Sequence, residues 1–330
     1  MKIVWFLPSN ESNYNNLSAS VWIRALQLFK YLEIFEVQNF VNDETVKADI
    51  AVFVRRQSEM DYNIAANLKK RKIKVILDLC VNYYKLSGAP GLKNPVTEIQ
   101  RTNCIEMTKI SDAIFCSSQN ICDCAYKFNK KAFYIPDSID LKHFKNIKNK
   151  NDFDRKKIRA IWSGVSVKAN ELFDYMEILS DLKIPLKIIS DKRPKGFVSP
   201  YWFGKYKSGF AKWDYTSFPK KILDGEFTIS PRNLTESYNQ GHSFFKVGIF
   251  LSVGIPAIAS PVPSYKELLG NGKSGAICDT KLEFKNVMMK ISDNRDILKK
   301  WSAYSVNLMK KYSSEEISKK YFLIFKKILT

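Results

Sequence analysis

Short apolar strands alternate with amphipathic helices along most of the 330 residues, and the alternation stops once, at a charged segment, before it restarts. Alternation of this kind builds a parallel sheet covered by helices on both faces, and one interruption divides the chain into two such units. The fold class is therefore α/β, with two doubly wound domains, a cleft between them and a last helix beyond the second. The length agrees, because one ordinary core does not extend over 330 residues.

In chain order, residues 2–7 are an apolar strand followed by a Pro-Ser-Asn loop. Leu17, Val21, Ala25, Leu28 and Leu32 then recur at helical spacing. A second strand, 50–54, ends in Arg55-Arg56, and a third, 75–79, carries Asp78 near its carboxyl end. Between them 64–70 reads as helix, closed by the basic run 69–72, whose cations suit the helix dipole. The Gly/Pro-rich segment 87–95 reads as a surface loop. A helix over 97–110, a strand over 113–116, another helix and a strand over 132–135 complete the first unit, which closes on P-D-S-I-D. Residues 145–157 are charged and lack apolar periodicity, so domain boundaries fall at 1–148, 149–157 (linker) and 158–312.

The pattern restarts with a strand over 158–162, the Ser163-Gly164 turn, and a helix with Leu172, Met176, Leu179 and Leu182 on one face. A strand over 186–190, a long aromatic and basic insertion over 191–209 and a short helix over 215–223 follow. Two helices come after Cys278. The final one, 313–330, opens on S-S-E-E, where Ser313 and Glu316 can form a capping box. Its apolar face is Ile317, Tyr321, Ile324, Phe325 and Ile328, which packs back on the protein; Lys319, Lys320, Lys326 and Lys327 leave membrane-surface docking as the other reading.

Composition removes several classes of function. With 45% hydrophobic and 13% aromatic residues the chain buries true cores, which excludes disorder. No apolar run reaches membrane-spanning length, and the opening M-K-I-V-W-F-L-P-S-N breaks too early for a signal peptide, so the expected location is cytoplasmic. Cys80, Cys104, Cys116, Cys122, Cys124 and Cys278 show no C-x-x-C spacing and there are only two histidines, so no zinc site is expected and the thiols read as reduced core residues. The charge of +20 attracts anionic partners, whether phospholipid head groups, nucleic acid or phosphorylated substrates, unless the excess is only a lysine-rich composition.

The stretch 226–278 carries most of the functional signal. A buried strand over 227–230 leads through a polar loop into an apolar helix over 243–253, which Gly254 closes and Pro256 forbids to continue, and a strand over 257–260 follows. If Ser243 caps that helix, Lys246 sits in its first turn, where the macrodipole disfavours a cation; a bound anion would turn the misfit into a phosphate site.

The segment F-F-K-V-G-I-F-L-S-V-G-I-P-A-I-A-S-P-V-P-S-Y-K-E-L-L resembles the carboxyl-terminal half of GT-B glycosyltransferases, especially retaining enzymes of the family 4 type, whose pattern is roughly K-x-x-E-x-x-A-x-G-x-P-V-I-A-S followed by a glutamate. A-D-I-A-V-F-V-R-R, V-I-L-D-L, S-D-A-I-F-C-S-S, Y-I-P-D-S-I-D and W-S-G-V-S-V-K-A-N match in order along the chain. The resemblance implies two Rossmann-like domains, a nucleotide-sugar donor bound by the second and a glycan or lipid-linked acceptor bound by the first. Lys246 is similar to the family's basic residue at the donor phosphates, and Lys168 to the lysine that joins it, unless Lys168 is a solvated lysine at a helix start. The backbone at Gly164, Ser243 and Phe244 completes the expected phosphate site, with Glu267 where the family often has a carboxylate.

The family's two glutamates, eight positions apart, fall here on Gly241 and Ile249. Ribose recognition is thereby altered, and a CMP-sugar donor of the Kdo or sialic acid type is admissible beside a nucleoside diphosphate sugar. His242, next to the first missing glutamate, is placed to bond the donor sugar or stabilise the departing phosphate, with Glu236 the nearby carboxylate; His143 reads as structural. No metal and no other cofactor is expected, the lysines taking the metal's part. Glu11, Arg55 and Asp78 are the acceptor-side candidates. The implied role is sugar transfer in bacterial surface polysaccharide synthesis, with the protein cytoplasmic or peripheral on anionic membrane. Another GT-B activity, such as an epimerase or phosphorylase, is a rival. So is a basic nucleic-acid-binding or scaffold protein, although zinc-finger, RRM-like and helix-turn-helix signatures are absent and no nucleic acid partner is expected.

Overall fold

The computed structural model describes residues 1–8, 19–32, 36–38, 46–86, 96–144, 158–197 and 209–330. Two six-stranded sheets organise these segments. In the first, β1 (Lys2–Phe6), β2 (Glu36–Gln38), β3 (Ile50–Val54), β4 (Lys74–Leu79), β5 (Ala113–Cys116) and β6 (Ala132–Tyr134) lie in the order β2-β1-β3-β4-β5-β6. In the second, β7 (Ala160–Ser163), β8 (Leu186–Ser190), β9 (Gly209–Lys212), β10 (Phe227–Ser230), β11 (Ala257–Ala259) and β12 (Gly275–Ile277) lie in the order β12-β11-β10-β7-β8-β9. Every neighbouring pair is parallel. β3 (I-A-V-F-V) is apolar and buried throughout, and β4 and β10 are buried but for Lys74 at the start of β4, as a sheet covered on both faces requires.

Local chemistry explains where the elements begin and end. Helix Glu59–Lys70 starts a turn and a half before its apolar stripe because Ser58 and Asp61 close a reciprocal capping box. The stripe through Leu172, Met176 and Leu179 is buried, but it belongs to two short helices, Asn170–Phe173 and Met176–Asp181, preceded by the turn Ser166–Lys168, rather than to one helix. Strands β2 and β9 were not legible in the sequence. Both are short edge strands, and β9 (G-F-A-K) has no fully buried residue to set a pattern. The expected linker 145–157, the loop 87–95 and most of the 191–209 insertion lie outside the described residues.

The last helix, Ser314–Leu329, packs on the first half of the chain. Ser313 Oγ accepts from Glu316 N, but the Glu316 carboxylate accepts from Lys319, so only one half of the expected capping box forms. Tyr321 and Phe325 are fully buried against Trp5 and Phe115. Burying each ring contributes about 1.5–3 kcal/mol, enough to make this helix part of the first domain's core. The Tyr321 hydroxyl donates to Asp78 at 2.7 Å, and Asp78 also accepts from Arg24 at 2.9 Å, all three side chains being 0–1% exposed. Asp78 is thus sealed within an ion pair, which corrects its reading as an acceptor-side carboxylate.

Candidate active site

The order of the second sheet reverses between β7 and β10, and open α/β sheets bind ligands in the crevice outside the carboxyl ends of such strands. β7 delivers Ser163 and Gly164 there, and β10 delivers Arg232. Lys168 and Tyr238 come from the following short helices, and His242, Ser243, Lys246 and Ile249 from the turn and helix before β11. Ser20, Trp22, Arg55, Cys80 and Asp137 face them from the first half, and together these residues enclose about 580 Å³. That volume is typical of a small-molecule or cofactor site.

Three cations converge in this space. The Lys246 ammonium lies 4.1 Å from the centre of the Trp162 ring and is buried without a hydrogen-bond partner. Lys168 Nζ donates to the Tyr238 hydroxyl at 2.8 Å and sits 3.4 Å from His242 Nε2. Arg232 donates through Nη1 to Glu171 at 2.5 Å, while its Nε is buried and unpaired. Glu171 is itself held by Asn239 Nδ2 at 2.7 Å and the amide of Asn233 at 3.0 Å.

Burial first, and then the charges of Arg232 and Lys168, hold Lys246 well below the ordinary lysine value. Burial first and Arg232 second push Lys168 down to about 7. The same desolvation, with Lys168, Arg232 and Lys246 beside it, keeps the His242 imidazole neutral at pH 7. A buried donor without a partner costs about 1–3 kcal/mol, and here two of them, Lys246 Nζ and Arg232 Nε, belong to side chains that line one cavity among like charges. An anion bearing several oxygens satisfies both donors and cancels the repulsion.

The structure brings together Lys246, Lys168, His242, Gly164 and Ser243, and Arg55 from across the cleft. A Cβ at Gly164 would fall 2.9 Å from the Trp162 ring and 3.4 Å from Lys246 Nζ, so glycine there keeps the approach to the lysine open. The helix begins at Phe245, not Ser243, and has only seven residues; Ser243 Oγ instead donates to Asp137 at 2.5 Å, joining the two halves. The expected anion site therefore rests on side chains rather than on that helix terminus. Phe244 is fully buried against Tyr312.

Glu236 stands at the start of helix Ser237–Gln240, outside the cavity lining. Glu267 accepts from the Tyr134 hydroxyl at 2.6 Å in another contact between the halves, also away from the lining. Glu11 lies outside the described residues, as does Asp152-Phe153-Asp154, the sequence's one D-x-D triplet. Gly241 has a steric reason to lack a side chain, since a Cβ there would meet Asn82 Cβ at 2.8 Å. Ile249 lines the cavity and is 6% exposed. Arg232 and Glu171 were missed in the sequence, although Arg232 follows β10 in S-P-R-N and Glu171 directly follows W-S-G-V-S-V-K-A-N.

No protein-family profile and no curated protein sequence matches the chain. Solved structures do match. Sucrose-phosphate synthase from Thermosynechococcus elongatus superposes with a TM-score of 0.72 at 10% identity, over 99% of this chain and 98% of that one. A glycosyltransferase from Rickettsia africae gives 0.68 at 12% identity, over 100% and 98%. Anabaena HepE, solved in complex with UDP and glucose, gives 0.67 at 9% identity, over 99% of both chains. The chain has the GT-B fold. Within this GT-B frame the three-cation cluster belongs to the second domain and Arg55 to the first. Among the described residues no group of three or more His, Cys, Asp and Glu side chains is arranged to hold a metal ion, and no helix is long and apolar enough to cross a membrane.

Proposed function

We propose that the protein is a glycosyltransferase that moves a sugar from a nucleotide-sugar donor to a saccharide or lipid-linked glycan. The observation that carries this reading is the pair of unpaired buried donors, Lys246 Nζ and Arg232 Nε, beside Lys168 at the strand-order reversal. Sugar transfer from such a donor leaves a nucleoside phosphate, and its developing charge needs preorganised cations in a site shielded from water. Lys246, Lys168 and Arg232 supply that charge, Glu171 fixes the Arg232 guanidinium, and neutral His242 lies beside Lys168.

Three cations outnumber what one phosphate needs, which favours a nucleoside diphosphate sugar over a CMP-sugar; that HepE was solved with UDP points the same way. The acceptor enters from the first domain. A surface polysaccharide built at a membrane is the acceptor class we favour, supported by the +20 charge and by Lys319, Lys320, Lys326 and Lys327 on the exposed face of the last helix around Leu323. Thermal melts of the full chain with UDP-, GDP-, TDP- and CMP-sugars test the donor class. A nucleoside diphosphate sugar is expected to raise the melting temperature, because it binds only the native state. No shift with any of the four contradicts the proposal.

A further inference from the structure

The first domain has a crevice of its own. Its strand order reverses at β1, between β2 and β3, and Arg55 is the residue that follows β3. The backbone there is held at φ 51°, a left-handed conformation uncommon for a residue with a side chain. Such outliers persist where the surroundings impose them, and they cluster at binding sites. The Arg55 amide donates to Asp78 O at 2.9 Å, Nη1 to Ser20 Oγ at 2.9 Å and Nη2 to the Tyr83 hydroxyl at 3.2 Å, which aims the guanidinium along the cavity wall.

Among the described residues, the groups that act on it are Cys80 and Tyr83 from its own domain and Tyr238 from across the cleft, and Asp137, which lines the same cavity, is bonded to Arg24 and Ser243. Asp78, two residues from Cys80, is spent on Arg24 and Tyr321. Across the cleft stands Lys168, also bonded to Tyr238, and the Arg55 charge helps to hold its proton affinity down. Two half-sites of like charge therefore face each other. One anion satisfies the Lys246, Lys168 and Arg232 side, which leaves Arg55 to a second.

We propose that Arg55 receives a carboxylate or phosphate group carried by the acceptor glycan, so that the acceptor is an acidic saccharide. This rests on the glycosyltransferase reading, which supplies the need for an acceptor. Nε also donates to the Tyr83 hydroxyl at 3.4 Å, so the second N–H groups of Nη1 and Nη2 are the pair that can take either group through two parallel hydrogen bonds, which a neutral sugar cannot accept as a charged partner.

Ligand-observed NMR on the full chain, with and without saturating UDP, tests the proposal using methyl glucuronide and methyl glucoside, which differ only in the carboxylate. The glucuronide is expected to bind at least about tenfold tighter, with a preference that shrinks as salt is raised. Arg55→Asn should abolish the preference while leaving the UDP affinity within about threefold; asparagine tolerates positive φ, so the turn survives. Arg55→Lys should restore part of the preference. Equal binding of the two glycosides, a preference that survives in Arg55→Asn, or a loss of UDP affinity as large as the loss of glucuronide affinity would overturn the assignment. A preference seen only between UDP-glucuronate and UDP-glucose would move Arg55 to the transferred sugar and also overturn it. Glucuronide preference without binding of UDP, GDP, TDP or CMP would leave Arg55 standing and remove the glycosyltransferase reading instead.

Discussion

Replacing Lys246 by methionine is expected to weaken binding of a nucleoside diphosphate by about 2–5 kcal/mol, roughly 30-fold or more, while the empty protein melts at a higher temperature. The two effects share one cause. The Lys246 amino group is buried over the Trp162 ring without a hydrogen-bond partner, and burial, with Arg232 and Lys168 nearby, disfavours its charged form. Without an anion, that arrangement is a cost, and an apolar side chain of similar length removes it. With an anion, the same group becomes, as an ammonium, a charge-assisted donor that methionine cannot replace. Calorimetric titration reads the first effect and a thermal melt the second. Reduced binding together with reduced stability would point to misfolding rather than to loss of a phosphate contact.

The second large effect is expected at Asp78, on stability rather than on binding. Asp78→Ala removes the carboxylate that receives Arg24 at 2.9 Å and the Tyr321 hydroxyl at 2.7 Å, in surroundings fully closed to water. Asp137 remains beside Arg24 at 3.2 Å, but it also accepts from Ser243. Breaking a buried pair by deleting one partner costs about 3–5 kcal/mol, because the other charge stays buried. Urea denaturation should show a loss of that size. A loss below about 1 kcal/mol would mean that the Arg24 network does not hold the last helix to the first domain.

Lys246 could be singled out in the sequence because its type conflicted with its expected place in a helix, and conflict with a local rule is a signal that sequence carries. The central strands were readable for a related reason: buried on both faces, they appear as short, largely apolar runs such as I-A-V-F-V and V-I-L in β3 and β4. Arg232 broke no local rule. It sits in a polar loop where arginine is ordinary, and only the order of the strands shows that this loop and the one after β7 open on the same crevice. Asp78 misled for the opposite reason. A carboxylate near a strand end reads as solvent-facing until Arg24 and Tyr321, 54 and 243 residues away, close over it. The fold was thus written in short-range periodicity, whereas the site depends on pairings between distant residues. At Gly241 and Ile249 the departure from the family pattern was visible in the sequence, but the steric reason for Gly241, its approach to Asn82, was not.

The account depends most on the claim that the cluster is an anion site whose lysines, beside the permanently charged Arg232, give up protons when it is empty, and proton linkage tests that directly. Lys168 titrates near pH 10.5 in an unfolded chain and at about 7 in the empty folded protein. Between those values the unfolded chain holds a proton that the folded one lacks, so the empty protein gains stability as pH rises through that window. A bound diphosphate needs the ammonium form, so it must bring the proton in. UDP is therefore titrated into the full chain at pH 8.5 by calorimetry in two buffers of different ionisation enthalpy. The account expects binding with uptake of about one proton by Lys168, increased by any taken up by Lys246, and a Lys168 share that fades by pH 6. Binding without proton uptake at pH 8.5, or no binding of UDP, GDP or TDP, would contradict it.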